Sequence, residues 1–252
     1  MRLVEGAHAI RNDLPTSSTV LVDVPLEAGD DQGSGVSRLS SLLLVCDSQA
    51  RELELLETVA ITIGGDCGVE LASIGHIADQ DAAVLWFDAH ADLNTPASSP
   101  SGAFSGMVLR TLLGDGPAAL TPATPISPDR LILVGTRSLD DAEADYIAAA
   151  GITTIPADTL TAESLVAAVQ ATGASTVYVH IDLDVLDPSD FAAVGSPEPF
   201  GPSATTVAQS IRLVLESFPL AGAGITSFAP ATENQASDDL PTILRLLGAL
   251  TR

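Results

Sequence analysis

The sequence contains no lysine. All ten basic residues are arginine, against 33 aspartate and glutamate side chains, for a formal net charge of −23. So acidic a chain repels phosphate backbones and anionic lipid headgroups, which argues against nucleic acid or a membrane surface as partner and points to a small molecule. Cysteine is almost absent: Cys46 and Cys67 cannot build a disulfide framework. No run of about 18 apolar residues offers a membrane span. The opening Met1-Arg2-Leu3-Val4-Glu5-Gly6 meets an acid too early for a secretory apolar region. These absences together predict a cytoplasmic protein.

What the chain has is aliphatic bulk. Of its 252 residues 46% are hydrophobic but only 4% aromatic, enough for a large core and too many for disorder. Short β-branched runs alternate with longer helix-like stretches. Strands are predicted at 19–24, 59–63, 82–87, 131–134, 152–155, 176–181 and 224–228. Helices are predicted over most of 35–56 and at 66–78, 142–150, 162–171, 204–216 and 236–250. Near-continuous apolar strands separated by helices indicate an α/β fold with a mostly parallel sheet covered on both faces.

The chemistry-bearing segments follow these strands: Gly64-Gly65-Asp66-Cys67, Asp88-Ala89-His90-Ala91-Asp92 and Asp182-Leu183-Asp184. Open parallel sheets bind ligands beyond the carboxyl ends of their strands. In extended backbone, positions i, i+2 and i+4 face one side, so Asp88, His90 and Asp92 would converge, as would Asp182 and Asp184. Four carboxylates at the end of a buried sheet repel one another and need cations or protons. Oxygen donors with one imidazole suit Mn²⁺ better than zinc.

The segments WFDAHADLNTP (86–96) and HIDLDVLDP (180–188) closely resemble the signatures of the ureohydrolase family of arginases, agmatinases and formiminoglutamases, and GGDCG (64–68) resembles a third. The resemblance implies a single three-layer α/β/α catalytic domain over 1–252 and a hydrolase with two Mn²⁺ ions. It implies that one ion takes Cys67, Asp88, Asp92 and Asp182, and the other Asp88, His90, Asp182 and Asp184. A hydroxide between them would attack the guanidino-type carbon, with Asp92 passing a proton to the leaving amine. Asp187-Pro188 also matches, and reads as turn architecture.

The chain departs from the pattern in three places. Cys67 stands where the family carries His, so a thiolate there would leave the centre more negative and its water less acidified. Ser105 stands where arginases have a proton-shuttling His. Ser227 stands where the family has a Glu that pairs with the substrate guanidinium. Asn94, Ser99 and Ser101 occupy places that hold the α-carboxylate in arginases, and Asp140 and Glu143 places near the α-amino group. An α-amino-acid substrate with a head less basic than guanidinium fits this combination, which is most similar to the branch of the family that hydrolyses Nω-hydroxy-L-arginine to hydroxyurea and L-ornithine in antibiotic biosynthesis. Arginase or formiminoglutamase activity, and an inactive metal-binding relative, are the other readings. The absence of a long extension after the last predicted helix, with the self-repelling charge, predicts a monomer.

Overall fold

The computed structural model describes residues 2–251. Six strands form one sheet: β1 (Ile61–Ile63), β2 (Ala82–Phe87), β3 (Leu131–Val134), β4 (Thr153–Ile155), β5 (Thr176–Asp182) and β6 (Leu220–Thr226). Their order is β1-β6-β5-β2-β3-β4, and every neighbouring pair is parallel. Eight helices surround it among the described residues: α1 (Arg2–Asn12), α2 (Leu39–Glu54), α3 (Glu70–His76), α4 (Val108–Leu112), α5 (Asp141–Ala150), α6 (Ala162–Thr172), α7 (Ala204–Ser217) and α8 (Glu233–Leu250).

Alternation along the strands sorts the core into two layers. Ala83, Leu85 and Phe87 of β2 and Val177, Val179 and Ile181 of β5 pack with Leu165, Val169, Ile211 and Leu246 of α6, α7 and α8. Val84 and Trp86 of β2 and Tyr178 of β5 pack on the opposite side with Leu39, Leu71, Ile74 and Leu109 of α2, α3 and α4. Both faces of β2 and β5 are therefore buried, which is why these strands read as unbroken apolar runs. The architecture is three-layer α/β/α.

The expected strand at 19–24 does not form. Residues 19–25 have no regular structure, and Val20, Leu21 and Val24 are at least half exposed. A β-branched run becomes a strand only where a neighbour supplies hydrogen bonds, and this one lies off the sheet. Helices α1 and α4 were not anticipated; α4 is only five residues long, too short for a periodic signal.

The chain order reverses between β2 and β5. From β2 the chain moves outward through β3 and β4, then returns to place β5 on the other side of β2 and β6 beyond it. Such a reversal opens a crevice at the carboxyl ends of the two central strands. The register pairs Phe87 with Ile181, the residues just before Asp88 and Asp182, so these two aspartates emerge side by side.

Candidate metal centre

The crevice is lined from three directions. Cys67 enters in a short turn after β1 whose start is capped by the Asp66 side chain. Asp88 follows β2, and Asp182 ends β5. Two groups of donors result. Cys67, Asp88, His180 and Asp182 each offer an atom within 4.8 Å of the others, and so, separately, do Asp88, His90 and Asp184. Asp88 belongs to both.

In the first group, Cys67 Sγ lies 2.9 Å from Asp182 Oδ2 and 3.8 Å from Asp88 Oδ2. Asp182 Oδ2 also accepts from the hydroxyls of Ser227 and Thr226. In the second, His90 Nδ1 lies 3.0 Å from Asp184 Oδ2 and 3.5 Å from Asp88 Oδ1. The backbone N–H groups of His90, Asp184 and Ala89 donate to Asp88, Asp182 and Asp184 respectively, and Trp86 Nε1 donates to Asp88 Oδ2 at 3.2 Å, which fixes how these carboxylates are turned.

Asp92 approaches differently from the spacing argument. Residues 88–92 are not a continuation of β2, and Asp92 sits at φ 54°, left-handed backbone that is uncommon for a residue with a side chain. Its carbonyl accepts from the N–H groups of Leu109 and Arg110, anchoring the turn to α4. Its Oδ2 is buried without a hydrogen-bond partner.

The electrostatics follow from crowding. Burial, then the charges of Asp88 and Asp182, push the Asp92 carboxyl well above the ordinary range. Burial and the same two neighbours raise Asp184, and burial with Asp88 raises Asp182. Burial and Asp182 push the Cys67 thiol up as well. Asp88 goes the other way: burial opposes its charge, but His180 and His90 outweigh it and hold the carboxyl low. His90, facing Asp184 and Asp88, is pushed up to about 11. The carboxylates of Asp88, Asp182 and Asp184, with Cys67, His90 and His180, form a donor set that fits divalent cations, while Asp92 belongs to neither donor group and lies beside them with Oδ2 unpartnered.

The residues expected to hold the amino-acid end of a substrate form a network built on the same loops. Asn94 donates to Asp140 Oδ2 at 2.8 Å and accepts from Ser98 at 2.7 Å. Ser99 and Ser101 lie 3.5 Å apart, their oxygens accepting from the N–H groups of Gly102 and Ala103. Glu143 is buried, and its two oxygens accept from the N–H groups of Leu93 and Asp140, so its carboxylate holds the loop that carries Asp92 and Asn94 and closes the capping box of α5. Ser105 opens a half-buried turn before α4. Asp187 accepts from Ser189 and Phe200 N–H groups, which is turn architecture.

Sequence reasoning passed over several contributors. His180 precedes Asp182 by two residues in β5 and so shares its face; that spacing was the available signal. Glu70, Trp86 and Tyr178 surround it. Glu198 brings a carboxylate to 3.9 Å from His90 Nε2, and Arg137 ties the 198–199 segment to β3 and Asp184 through four backbone carbonyls. No local pattern marks these.

Residues 13–245 match the arginase family. This chain belongs to that family, whose members are hydrolases of amidino groups. Among characterised relatives, an arginase of Bacillus caldovelox is 31% identical over 196 residues, 70% of this chain and 66% of that protein, just under two thirds of its length. The N(omega)-hydroxy-L-arginine amidinohydrolase of Streptomyces lavendulae is 30% identical over 226 residues, 87% of this chain and 79% of that one. The fold matches the arginase of Entamoeba histolytica in complex with L-ornithine with a TM-score of 0.88 over 98% of this chain and 92% of that chain, at 23% identity.

Two predictions follow from these contacts. Asp92, Asp182, Asp184 and His90 all hold protons more tightly folded than unfolded. The folded state then binds more protons, so the metal-free protein loses stability as pH rises. For His90 the loss begins above its unfolded value near 6.5 and completes near 11. Thermal melts in chelator from pH 5 to 9 should show a falling midpoint, and added Mn²⁺ should flatten the slope. Glu143→Gln replaces an acceptor with a donor facing an N–H group. Urea denaturation should show a loss of about 1–3 kcal/mol.

Proposed function

We propose that the chain is a binuclear, manganese-dependent amidinohydrolase that cleaves Nω-hydroxy-L-arginine with water to hydroxyurea and L-ornithine. It acts as one cytoplasmic catalytic domain over 1–252 and as a monomer, with no nucleic-acid or membrane partner. The observation that carries the class of chemistry is the convergence of the two donor groups on the shared Asp88 at the reversal point of the sheet. Cys67, Asp88, Asp92 and Asp182 would hold one cation, and Asp88, His90, Asp182 and Asp184 the other. Two bound cations lower the pKa of a shared water and so make it a nucleophile at neutral pH.

The remaining chemistry belongs to the side chains. Asp92, buried with one carboxylate oxygen free of hydrogen bonds, is suited to take a proton and deliver it to the departing amine of ornithine. Asn94, Ser99 and Ser101 retain hydroxyl or amide groups at the mouth for an α-carboxylate, and Asp140 presents a carboxylate for the α-amino group. At the reactive end, Ser227 turns its hydroxyl onto Asp182 and presents no carboxylate to a cationic guanidinium. Loss of such a charge-assisted hydrogen bond costs about 1.5–3 kcal/mol, roughly 10–150-fold in rate or affinity. The penalty falls on L-arginine and spares a neutral N-hydroxyguanidine. The Streptomyces relative named for that substrate supports this reading. Arginases of equal similarity support L-arginine as the second.

The test is side-by-side kcat/KM for Nω-hydroxy-L-arginine, L-arginine, agmatine and formiminoglutamate on protein with two manganese ions per chain by elemental analysis. The hydroxylated substrate should exceed arginine at least tenfold, and Ser227→Glu should narrow the gap. Equal values for the two substrates would remove the assignment.

A further inference from the structure

His180 is fully buried in the mostly apolar layer that β5 shares with α2, α3 and α4. A polar group in such a layer costs stability unless something engages it. Its ring is held on two sides. Trp86 stacks on it with centroids 3.7 Å apart and an interplanar angle of 24°. Its Nδ1 lies 3.1 Å from Glu70 Oε1. Glu70 is itself fully buried at the start of α3, and its other oxygen takes the Tyr178 hydroxyl. Room for this carboxylate exists because β6 carries Gly224 opposite His180: a Cβ there would lie 1.6 Å from Glu70 Oε1.

A carboxylate can only accept, so Nδ1 carries a hydrogen toward Glu70, and Nε2 is the nitrogen whose proton a cation would replace. That atom has no hydrogen-bond partner. It faces Asp88 Oδ2 at 3.8 Å, and a ring nitrogen of His180 lies within 4.8 Å of donor atoms on Cys67, Asp88 and Asp182. A ring nitrogen turned toward a carboxylate and a sulfur, beyond hydrogen-bond distance of the carboxylate and without a partner of its own, is the arrangement a cation would complete.

We propose that His180, oriented by Glu70, joins Cys67, Asp88, Asp92 and Asp182 as a ligand of the cation on the Cys67 side, adding an imidazole nitrogen to the sulfur and carboxylate oxygens there. The chain then supplies from β5 the imidazole that position 67 does not. Glu70 acts on the cation only through His180, as carboxylates that accept from a metal-bound imidazole do. The inference rests on the binuclear reading above, but not on which substrate is cleaved.

The test uses the full chain loaded with Co²⁺ after chelation, with histidine ¹⁵N-labelled. Elemental analysis counts the ions, and proton NMR detects the imidazole N–H groups. With two ions bound, the buried His180 N–H should appear far outside the diamagnetic range and exchange slowly with solvent. It should vanish in His180→Gln. Glu70→Gln, which leaves His180 in place, should weaken the more weakly bound Co²⁺ on the order of 10–100-fold. Two bound ions with the His180 N–H at a diamagnetic position would overturn the ligand and leave the binuclear reading intact. Fewer than two ions in the unsubstituted protein would overturn both.

Discussion

Mutual repulsion among Asp88, Asp92, Asp182 and Asp184 is the constraint on which the rest of the structure depends. All four are buried, and all lie at the carboxyl end of β2 and β5. Without compensation, four such charges would drive the loops apart or take up protons, and the raised pKa values of three of them register that stress. The protein answers with backbone N–H groups aimed at Asp88, Asp182 and Asp184, with hydroxyls on Asp182, and with imidazoles beside Asp88. The two donor groups that share Asp88 are of the kind that holds divalent cations.

The scaffold makes this cluster sustainable. β2 and β5 are central, paired along six positions and buried on both faces, so Asp88 and Asp182 cannot relax away from each other. Glu143 and the α4 amides pin the loop between them from outside the sheet. Strain is accepted where the chemistry is: Asp92 and Ser227 both hold positive φ, and both point into the crevice from turns rather than strands.

The polar layer beneath the centre changes what Cys67 means. Taken alone, a thiol in place of an imidazole suggests a poorer cation position. In the folded protein, Glu70, Tyr178 and His180 form a connected buried network directly under it, with Trp86 as its wall. A network of this kind is costly unless every member is satisfied, and His180 Nε2 is the one atom left over.

The sequence by itself determined the α/β class, four of the six strands to within one residue, the family, and the segments that carry the acids. Those signals are local: hydrophobic runs, turn residues and motif spacing survive in one dimension. Only the tertiary structure decided that residues 19–24 form no strand, since strand formation depends on a neighbour. It also decided that Asp92 enters from a left-handed turn rather than along an extended face, that both oxygens of Glu143 are committed to backbone amides, and that His180 joins Cys67 across 113 residues of chain. Each of these depends on which strands become neighbours in the order β1-β6-β5-β2-β3-β4, and that order is set by packing of the whole core rather than by any stretch of residues read alone.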